Sequence, residues 1–284
     1  MNMNKTKYKL IAADMDGTLL NDESLLTDRV KSAIVGAVGA GVLFVTATGR
    51  PMRASQSVNA LFFEDMPFII FNGVAAVKGK SYETLFFDSL DTQYADLIYQ
   101  TGVKRNIPVI MWTIDNDEEK LWVSRDCQET RDYRAISGAE LNIMEDPGKC
   151  AGSGVAKMMW IDGPDKIKIY RDEMAAVFKG KVNCYASRPM FLEFVGIKSS
   201  KGAALQKIGE IYKIDKSEMI AIGDSDNDIS MLEYAGLGVA MENASDEVKA
   251  VCKYTVPSNN NEDGAAKVIE EFILNENLTG ENKK

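Results

Sequence analysis

The 284-residue chain contains no histidine. This absence excludes Ser–His and Cys–His nucleophile pairs, zinc sites built with histidine, and histidine general bases. Any acid–base chemistry must therefore use Asp, Glu, Lys, Tyr or Cys side chains. Because the chain carries 42 acidic residues against 33 basic ones, carboxylates are the natural candidates for that chemistry.

Cysteine is scarce, and long apolar runs are absent. The four cysteines form no C-x-x-C pair, which argues against a zinc ribbon or a disulfide framework and is typical of a reducing cytoplasm. The first seven residues are polar and lack the apolar segment of a secretory signal peptide. No run approaches the roughly 18 apolar residues of a membrane-spanning helix. We therefore expect a cytoplasmic protein.

Positive charge is also in deficit, since the formal net charge is −9. This balance argues against a nucleic-acid partner and against binding to an anionic membrane surface. An acidic protein can still bind a small phosphorylated molecule if local positive charge or a metal ion is available. The length and the hydrophobic content of 45% predict an ordinary globular protein of about two domains.

Short apolar runs that end in polar turns recur in the first part of the chain. Such runs, typical of buried parallel strands, occur at 10–13, 42–47 and 68–71. Helices are predicted between them, one capped by Thr27 and one that begins at Pro51 and continues toward Leu61. Alternating strands and helices predict right-handed crossovers and a doubly wound parallel sheet.

Hairpins replace this alternation in the middle of the chain. Paired strands are predicted at 108–113 with 120–124 and at 182–187 with 191–195. The acidic turn at 115–119 lacks the spaced ligands and the glycine of an EF-hand calcium loop, so we interpret it as a solvated turn. Residues 127–154 are weakly patterned, and the alternation of helix and strand returns from Ser200. The chain is therefore predicted to form a core from residues 1–84 and 196–284, with an α+β domain inserted at 85–195.

Polar clusters stand where the predicted strands of the core end. Asp14 and Asp16 follow the first strand, Thr48 follows the second, and Asp224 follows a strand near residue 220. Lys201 instead opens a helix. Since an open α/β sheet binds its ligands at the carboxyl ends of its strands, these side chains are expected to converge. A carboxylate nucleophile, a hydroxyl, a lysine and acids that bind Mg²⁺ are the groups that phosphoryl transfer requires.

Each cluster has a plainer interpretation when it is considered alone. Segment 14–18 could be a turn with a helix cap, and Thr48 could be an ordinary strand-end hydroxyl. Lys201 alone could be a solvated helix lysine, and segment 223–228 could be an acidic turn with Asp228 as a cap. The joint occurrence of the four clusters favours the chemical interpretation.

In this order the residues resemble the haloacid dehalogenase superfamily, in particular its Cof-type phosphatases, over nearly the whole chain. The matching segments are LIAADMDGTLL at 10–20, TGRP at 48–51, FNG at 71–73, SKG at 200–202, IGDSDND at 222–228 and NEDG at 261–264. The resemblance implies a Rossmann-like doubly wound core that carries a large inserted α/β cap of the C2 type. The cap domain would set substrate specificity.

The resemblance also implies a role for each matched residue. Asp14 corresponds to the nucleophile that becomes an aspartyl-phosphate, and Asp16 corresponds to the general acid–base, whose backbone carbonyl also binds magnesium. Thr48 corresponds to the hydroxyl that holds the phosphoryl group, and Lys201 to the lysine that orients the nucleophile. Asp224 corresponds to the acid that completes the Mg²⁺ site together with Asp14 and Asp16.

A second set of residues is expected to support or line the site. Asn227 is expected to contact phosphate, and Asp228 is expected to contact the metal-bound water or Lys201. The other expected contacts to phosphate or substrate are Met15, Gly17, Gly49, Arg50, Asn72 and Gly73. Arg188, in the turn of the second predicted hairpin, is a candidate substrate contact in the cap, although a surface arginine is the plainer interpretation.

The function that the resemblance implies is a magnesium-dependent phosphatase for small phosphorylated metabolites. Sugar phosphates, pyridoxal phosphate and flavin mononucleotide are examples of such substrates. Two alternatives stay open at this point. A sugar phosphomutase would use Asp16 equally well, and a non-catalytic phosphometabolite-binding protein would have no need of Asp14 or Asp224.

Overall fold

The computed structural model describes residues 7–55, 65–115 and 117–274, apart from the side chain of Ser153. The chain divides into two compact units. The first contains residues 1–49, 56–82 and 200–284, and the second contains 50–55 and 83–199. The main segment of the second unit runs from Glu83 to Ser199, where the sequence predicted an insertion at 85–195, and residues 50–55 belong to the same unit. Its role as a specificity cap stays a prediction.

The chain contains both strands and helices, and some neighbouring strands follow one another without an α-helix between them. The strands are β1 (Leu10–Asp14), β2 (Leu43–Ala47), β3 (Pro67–Ile70), β4 (Ala75–Lys78), β5 (Thr84–Phe87), β6 (Val109–Asp115), β7 (Glu118–Val123), β8 (Leu141–Ile143), β9 (Val155–Ile161), β10 (Val182–Arg188), β11 (Phe191–Gly196), β12 (Met219–Gly223), β13 (Leu237–Ala240) and β14 (Tyr254–Thr255). The helices are α1 (Asp28–Gly39), α2 (Thr92–Lys104), α3 (Gln128–Ser137), α4 (Pro147–Cys150), α5 (Pro164–Val177), α6 (Lys201–Tyr212), α7 (Ile229–Tyr234), α8 (Asp246–Val251) and α9 (Gly264–Ile269).

The first unit is built on a sheet whose strands run in the order β14-β13-β12-β1-β2-β3-β4. Neighbouring strands pair in parallel, except for the antiparallel pair of β3 with β4. Helix α1 contacts β2 and α9, whereas α6 contacts β3 and α7. The α/β class and the Rossmann-like core that the sequence predicted are confirmed.

The central strands of this sheet are apolar because both of their faces are buried. Ile11 and Ala13 belong to one hydrophobic core together with residues of α1 and α9. Successive strand residues point to opposite faces, so Leu10 and Ala12 face the other side, where they are fully buried as well. A strand that is covered on both faces reads as a continuous apolar run rather than as an alternating one.

Local capping explains where the first helix begins. The Thr27 hydroxyl accepts the Val30 N–H at 3.3 Å and donates to the Asp263 carboxylate at 2.6 Å. The predicted helix α1 is therefore confirmed, with its cap. The helix that was predicted from Pro51 toward Leu61 lies largely outside the described residues, and positions 53–55 form a single 3₁₀ turn.

The second unit is a mixed α+β structure around a sheet with the strand order β10-β11-β9-β6-β7-β8. Its strands pair antiparallel except for β7 with β8, and both predicted hairpins, β6–β7 and β10–β11, are present. Side chains of α2 and α5 share a hydrophobic core with Val109, Met158 and Phe194.

Helix α3 lies in the region that the sequence left weakly patterned. Its buried residues are Thr130, Tyr133 and Ser137, so it has no apolar stripe that would reveal the helical period. Its start is also unusual, because the N–H of Cys127 is accepted by the Thr130 hydroxyl at 3.0 Å. Within the described residues, no helix combines the length and the apolar character that crossing a bilayer requires.

Candidate active site

Three adjacent strands deliver the candidate residues to one edge of the sheet. Strand β1 lies between β12 and β2, in parallel with both. Asp14 is the last residue of β1, Thr48 follows the end of β2, and Asp224 follows the end of β12. The chain runs outward from β1 to β2 on one side and returns to β12 on the other, which makes this a topological switch point.

A buried charged cluster joins three segments of the chain at this edge. The Lys201 ammonium contacts the Asp14 carboxylate directly and donates to the Asp228 carboxylate at 2.6 Å. Lys201 and Asp228 are fully buried, and Asp14 is 5% exposed. The sequence predicted that Asp228 contacts the metal-bound water or Lys201, and the structure brings Asp228 and Lys201 together.

Helix α6 holds Lys201 in place because its first turn is packed tightly on neighbouring backbone. A side chain at Gly73, whose φ is +97°, would overlap the Ser200 carbonyl. A side chain at Gly202 would overlap the Ser230 carbonyl, and the Gly202 N–H donates to the Ser230 hydroxyl at 3.0 Å. Gly73, which was predicted as a pocket residue, thus lies against the start of the helix that carries the lysine.

Asp224 is fixed by hydroxyl groups on both of its oxygens. The Thr18 hydroxyl donates to one oxygen at 2.9 Å, and the Ser225 hydroxyl donates to the other at 3.1 Å. The second oxygen of Asp228 accepts the N–H groups of Asp224 and Ser225 at 3.1 and 3.0 Å. Asp228 therefore orients both the lysine and the loop that carries Asp224.

Three carboxylates at this point could hold a cation. One oxygen each from Asp14, Asp224 and Asp228 lies within 4.8 Å of the others. Lys201 is the one ammonium that bonds to this trio within the described residues, which leaves an excess of negative charge. An all-oxygen, charge-rich donor set suits Mg²⁺. Asp228 is already neutralised by the Lys201 ammonium and two backbone N–H groups, whereas Asp224 accepts only two hydroxyl groups, so Asp14 and Asp224 are the better candidate ligands.

Burial and the charges of neighbouring groups shift the pKa values of these residues. Burial, followed by the nearby Asp228 charge, raises the pKa of Asp14 well above its usual range. The same two causes, in the same order, raise the pKa of Asp224 to about 6. Burial would lower the pKa of the Lys201 ammonium, but the charges of Asp14 and Asp228 outweigh it and raise that pKa. Lys201 therefore stays charged.

The turn after Asp14 separates two carboxylates that are only two positions apart. The Met15 carbonyl accepts the N–H groups of Leu19 and Leu20 at 3.1 and 2.9 Å, which folds the turn back on itself. Asp16 is exposed, in contrast to buried Asp14. Gly17 has φ +79°, and a Cβ there would lie 2.5 Å from an Asp224 oxygen. The turn thus requires glycine for its backbone conformation and for its close approach to Asp224.

A second group of predicted residues comes together beside Thr48. The Asn227 amide donates to the Asn72 side-chain oxygen at 2.9 Å, and Asn72 adopts a left-handed backbone with φ 58°. A Cβ at Gly49 would lie 2.9 Å from that same Asn72 oxygen. The Thr48 backbone is fixed by its N–H bond to the Ile69 carbonyl and by its carbonyl bond to the Asn72 N–H, at 2.8 and 3.0 Å.

The two predicted arginines belong to the second unit. The Arg50 guanidinium donates to the Ala54 carbonyl at 3.1 Å. The Arg188 guanidinium lies over the Phe191 ring, 6.0 Å from its centroid. Their contacts to a substrate stay predictions, as does the phosphate contact of Asn227.

Several residues that build this site were not singled out from the sequence. Thr18 lies inside a matched segment but had no role assigned to it. Ser225 lies between Asp224 and Asp226 inside the matched segment 222–228, and Ser230 follows two positions after Asp228. Asn243 carries no sequence signal, and its amide donates to the Gly17 carbonyl at 2.9 Å.

Known proteins resemble this chain over most of its length. The sequence model of the haloacid dehalogenase-like hydrolase family matches residues 11–269. The chain is 31% identical over 274 residues to the Bacillus subtilis (strain 168) protein named "Putative phosphatase YxeH", covering 94% of this chain and 99% of that protein. It is also 31% identical over 288 residues to 5-amino-6-(5-phospho-D-ribitylamino)uracil phosphatase YwtE from Bacillus subtilis (strain 168), covering 93% of this chain and 98% of that protein.

A solved structure of this family has a similar fold. The crystal structure of a haloacid dehalogenase-like hydrolase from Bacteroides thetaiotaomicron superimposes with a TM-score of 0.82 at 26% identity, over 93% of this chain and 99% of that one. The family match spans most of the chain, and the acidic cluster lies at the sheet edge where such an enzyme needs it. The chain belongs to the haloacid dehalogenase-like hydrolases and is a phosphatase of that family.

Proposed function

We propose that the protein is a magnesium-dependent phosphatase that hydrolyses small phosphate monoesters through an aspartyl-phosphate at Asp14. The observation that carries this proposal is the buried Asp14 carboxylate, which is held by the Lys201 ammonium next to the Asp224 carboxylate. The excess of carboxylates over ammonium groups at this point favours a bound cation. Asp14 and Asp224 would hold Mg²⁺, which would neutralise charge on the phosphoryl oxygens.

The chain's own residues divide the reaction into two displacements. In the first, an Asp14 oxygen attacks phosphorus, the bond to the leaving oxygen breaks, and Asp16 donates a proton to that oxygen. In the second, Asp16 takes a proton from a water molecule, the water oxygen attacks phosphorus, and the Asp14 carboxylate is released with inorganic phosphate. Lys201 orients Asp14 and balances charge throughout, and Thr48 holds a phosphoryl oxygen.

Environment supports this division of labour between the two acids. A buried carboxylate that contacts an ammonium is fixed in one orientation, which suits a nucleophile. An exposed carboxylate two residues later can reach the leaving group and exchange its proton with water. The same residue type can therefore perform two tasks because its surroundings differ.

For the substrate we propose a phosphomonoester of a polyol or sugar chain that bears a heterocycle. The support is the name of the relative YwtE, which acts on 5-amino-6-(5-phospho-D-ribitylamino)uracil and matches nearly the whole chain. The test compares kcat/KM for that compound with kcat/KM for flavin mononucleotide, pyridoxal phosphate and glucose 6-phosphate at a fixed magnesium concentration. Flavin mononucleotide also carries its phosphate on a ribityl chain attached to a heterocycle, so only a higher value for pyridoxal phosphate or glucose 6-phosphate would refute this choice of substrate.

The catalytic proposal is tested with Asp14→Asn and a matched control, Asp226→Asn. The purified protein should release phosphate from p-nitrophenyl phosphate in the presence of magnesium, and EDTA should stop this release. Asp14→Asn should reduce kcat by at least about 1,000-fold, because no nucleophile remains to form the intermediate. Asp226 is an exposed acid of the same loop as Asp224, so Asp226→Asn should retain normal activity.

Two results would contradict the mechanism. One is an active Asp14→Asn variant, and the other is hydrolysis that EDTA leaves unchanged. A further check is the slow variant Asp16→Asn, which should accumulate phosphate on Asp14 that mass spectrometry of the intact protein can detect.

A further inference from the structure

The side chain of Asp224 is held by a hydroxyl group on each of its two oxygens. The Thr18 hydroxyl donates to Oδ1 at 2.9 Å, and the Ser225 hydroxyl donates to Oδ2 at 3.1 Å. On the side of Gly17 the carboxylate has no room to swing, because a Cβ there would already lie 2.5 Å from Oδ2. Rotation about the Cβ–Cγ bond would disturb both hydroxyl bonds at once, so the protein itself fixes the carboxylate plane.

The backbone of Asp224 is held as firmly as its side chain. One oxygen of the buried Asp228 carboxylate accepts the Asp224 N–H at 3.1 Å and the Ser225 N–H at 3.0 Å. These two N–H groups belong to the peptides on either side of the Asp224 Cα, and each peptide is planar. Because both peptide planes are held, the direction of the Cα–Cβ bond of Asp224 is set as well.

The turn around Thr18 is also braced, so its hydroxyl is presented from a fixed position. Thr18 is 1% exposed. The Asn243 amide donates at 2.9 Å to the Gly17 carbonyl, which belongs to the peptide that leads into Thr18. Two positions after Thr18, the Leu20 carbonyl accepts the Asn260 amide at 3.0 Å. The hydroxyl donor is therefore held by residues far away along the chain.

A rigid carboxylate affects Mg²⁺ and Ca²⁺ differently. Mg²⁺ requires a nearly ideal octahedron with ligands at about 2.0–2.1 Å, whereas Ca²⁺ accepts about six to eight ligands at about 2.3–2.6 Å in flexible geometries. Ca²⁺ also often binds both oxygens of one carboxylate. A ligand whose orientation is fixed in advance suits the ion with the stricter geometry, while a ligand that can rotate or shift adapts to the larger ion.

We propose that the hydroxyl groups of Thr18 and Ser225 are positioning groups that make the cation site at Asp14 and Asp224 select Mg²⁺ over Ca²⁺. This proposal rests on the magnesium dependence proposed above. Without one of the hydroxyl bonds, the Asp224 carboxylate can rotate. Binding of Mg²⁺ must then order the carboxylate, whereas Ca²⁺ gains a ligand that can adapt to it. The affinity for Mg²⁺ should therefore fall more than the affinity for Ca²⁺.

The test measures equilibrium binding of the ions and does not depend on catalysis. Metal-stripped protein is titrated calorimetrically with magnesium chloride and, separately, with calcium chloride, which gives a Kd for each ion. The wild-type protein should bind Mg²⁺ more tightly than Ca²⁺. Thr18→Val should raise the Kd for Mg²⁺ by roughly 10-fold or more, the usual effect of losing a hydrogen-bond partner of a metal ligand. The Kd for Ca²⁺ should rise less.

Ser225→Ala should shift the ratio of the two Kd values in the same direction. The shift should be smaller, because Ser225 is exposed and water can take the place of its hydroxyl. An exposed position tolerates this substitution, so Ser225→Ala keeps the test decisive should Thr18→Val not fold. The melting temperature of each metal-free variant shows whether it is folded.

Two control variants separate the hydroxyl bond from other effects of the substitution. Thr18→Ser keeps a hydroxyl at the same position and should keep both Kd values close to those of the wild type. Thr27→Val is the matched control, because the Thr27 hydroxyl donates at 2.6 Å to Asp263, a carboxylate outside the cation site. It should leave the ratio of the two Kd values unchanged, even where loss of the helix cap lowers the melting temperature.

The outcomes separate this proposal from the proposed function. If the wild-type protein selects Mg²⁺ and a variant keeps the wild-type ratio, the hydroxyl removed in that variant does not select the ion, while the magnesium-dependent mechanism stands. Equal weakening of both ions by Thr18→Val would overturn the selectivity proposal, and so would a wild-type protein that binds Ca²⁺ as tightly as Mg²⁺. If the wild-type protein binds no Mg²⁺, the magnesium dependence itself fails, and the selectivity proposal fails with it.

Discussion

Residues of one type perform different tasks at this site because their surroundings differ, as is seen for Asp14, Asp224 and Asp228. Each is a carboxylate at the edge of the same sheet, yet each has different partners. Asp14 contacts Lys201, Asp224 accepts two hydroxyl groups, and Asp228 accepts an ammonium and two backbone N–H groups. Asp228 is therefore satisfied within the protein, whereas Asp224 retains an unfavourable charge that a cation would relieve.

This unfavourable charge predicts a stabilising effect of Asp224→Asn in the metal-free protein. The pKa of Asp224 is about 6 in the fold, above the value of about 3.9 expected in the unfolded chain. Between these values the folded state binds more protons, so its stability falls as the pH rises from about 4 to about 6. Replacing the carboxylate removes that cost and should raise the free energy of unfolding at pH 7.5 by about 1–3 kcal/mol.

Urea unfolding in EDTA at pH 7.5 and pH 4.5 measures the effect. The gain from Asp224→Asn should shrink at the lower pH, where the wild-type carboxyl is protonated. Asp226→Asn is again the control and should change stability little at either pH. A variant that is less stable than wild type at pH 7.5, or a gain that grows toward acid pH, would contradict the argument.

Among the secondary-structure elements, α6 has the most direct bearing on the chemistry. Its first residue is Lys201, and its second, Gly202, lies so close to Ser230 of α7 that no side chain fits. The Ser200 hydroxyl caps the helix by accepting the Ala203 N–H at 3.1 Å. Capping and close packing together place the lysine next to Asp14.

Gly202→Ala should therefore reduce both stability and activity. The added methyl group would force α6 away from α7, at a cost of about 1–3 kcal/mol, and would displace Lys201. The matched control is Gly39→Ala at the end of α1, where an added Cβ meets nothing within 4 Å. That control should be neutral or stabilising by up to about 1 kcal/mol.

Chemical denaturation and phosphatase assays on both glycine variants provide the measurement. The expected pattern is a loss for Gly202→Ala that the Gly39→Ala control does not share. Equal stability of the two variants would show that the contact between α6 and α7 is looser than the structure indicates.

At the scale of the whole molecule, each unit has its own hydrophobic core. The candidate active-site cluster lies in the first unit. The second unit contains Trp112, Trp122 and Trp160, which are all three tryptophans of the chain. Tryptophan fluorescence therefore reports on the second unit.

The second unit contains a buried ion pair that can be tested in this way. Lys157 on β9 donates to Glu193 on β11 at 3.0 Å, and the two residues are 3% and 5% exposed. Lys157→Met would leave the Glu193 charge buried without its ammonium partner. We expect the unfolding midpoint seen by tryptophan fluorescence to fall, at a cost of about 3–5 kcal/mol.

The double variant Lys157→Met/Glu193→Leu should recover part of this loss, because no uncompensated charge remains. Lys168→Met, at an exposed position of α5, serves as the control and should change the midpoint little. A double variant that is less stable than Lys157→Met alone would indicate that the pair is not the main source of the effect.

Local patterns were sufficient to predict much of the fold. Strand β2 and helix α1 were predicted from the apolar run at 42–47 and from the Thr27 cap, and both signals depend only on neighbouring residues. Helix α3 was not predicted, because its few buried residues are largely polar. The helical period of α3 could not be recognised from the sequence, because the packing of this helix does not require an apolar stripe.

The sequence by itself identified the candidate residues of the site. The absence of histidine, the paired acids after the first strand and the order of the matching segments led to the family, because chemistry restricts which residue types can serve. Tertiary structure decided how those residues are oriented. It buried Asp14 and exposed Asp16, engaged Asp228 with Lys201 and brought Asn243 and Asn260 to the turn. These contacts join positions up to 240 residues apart, and no local pattern records them, since they depend on strand order and helix packing.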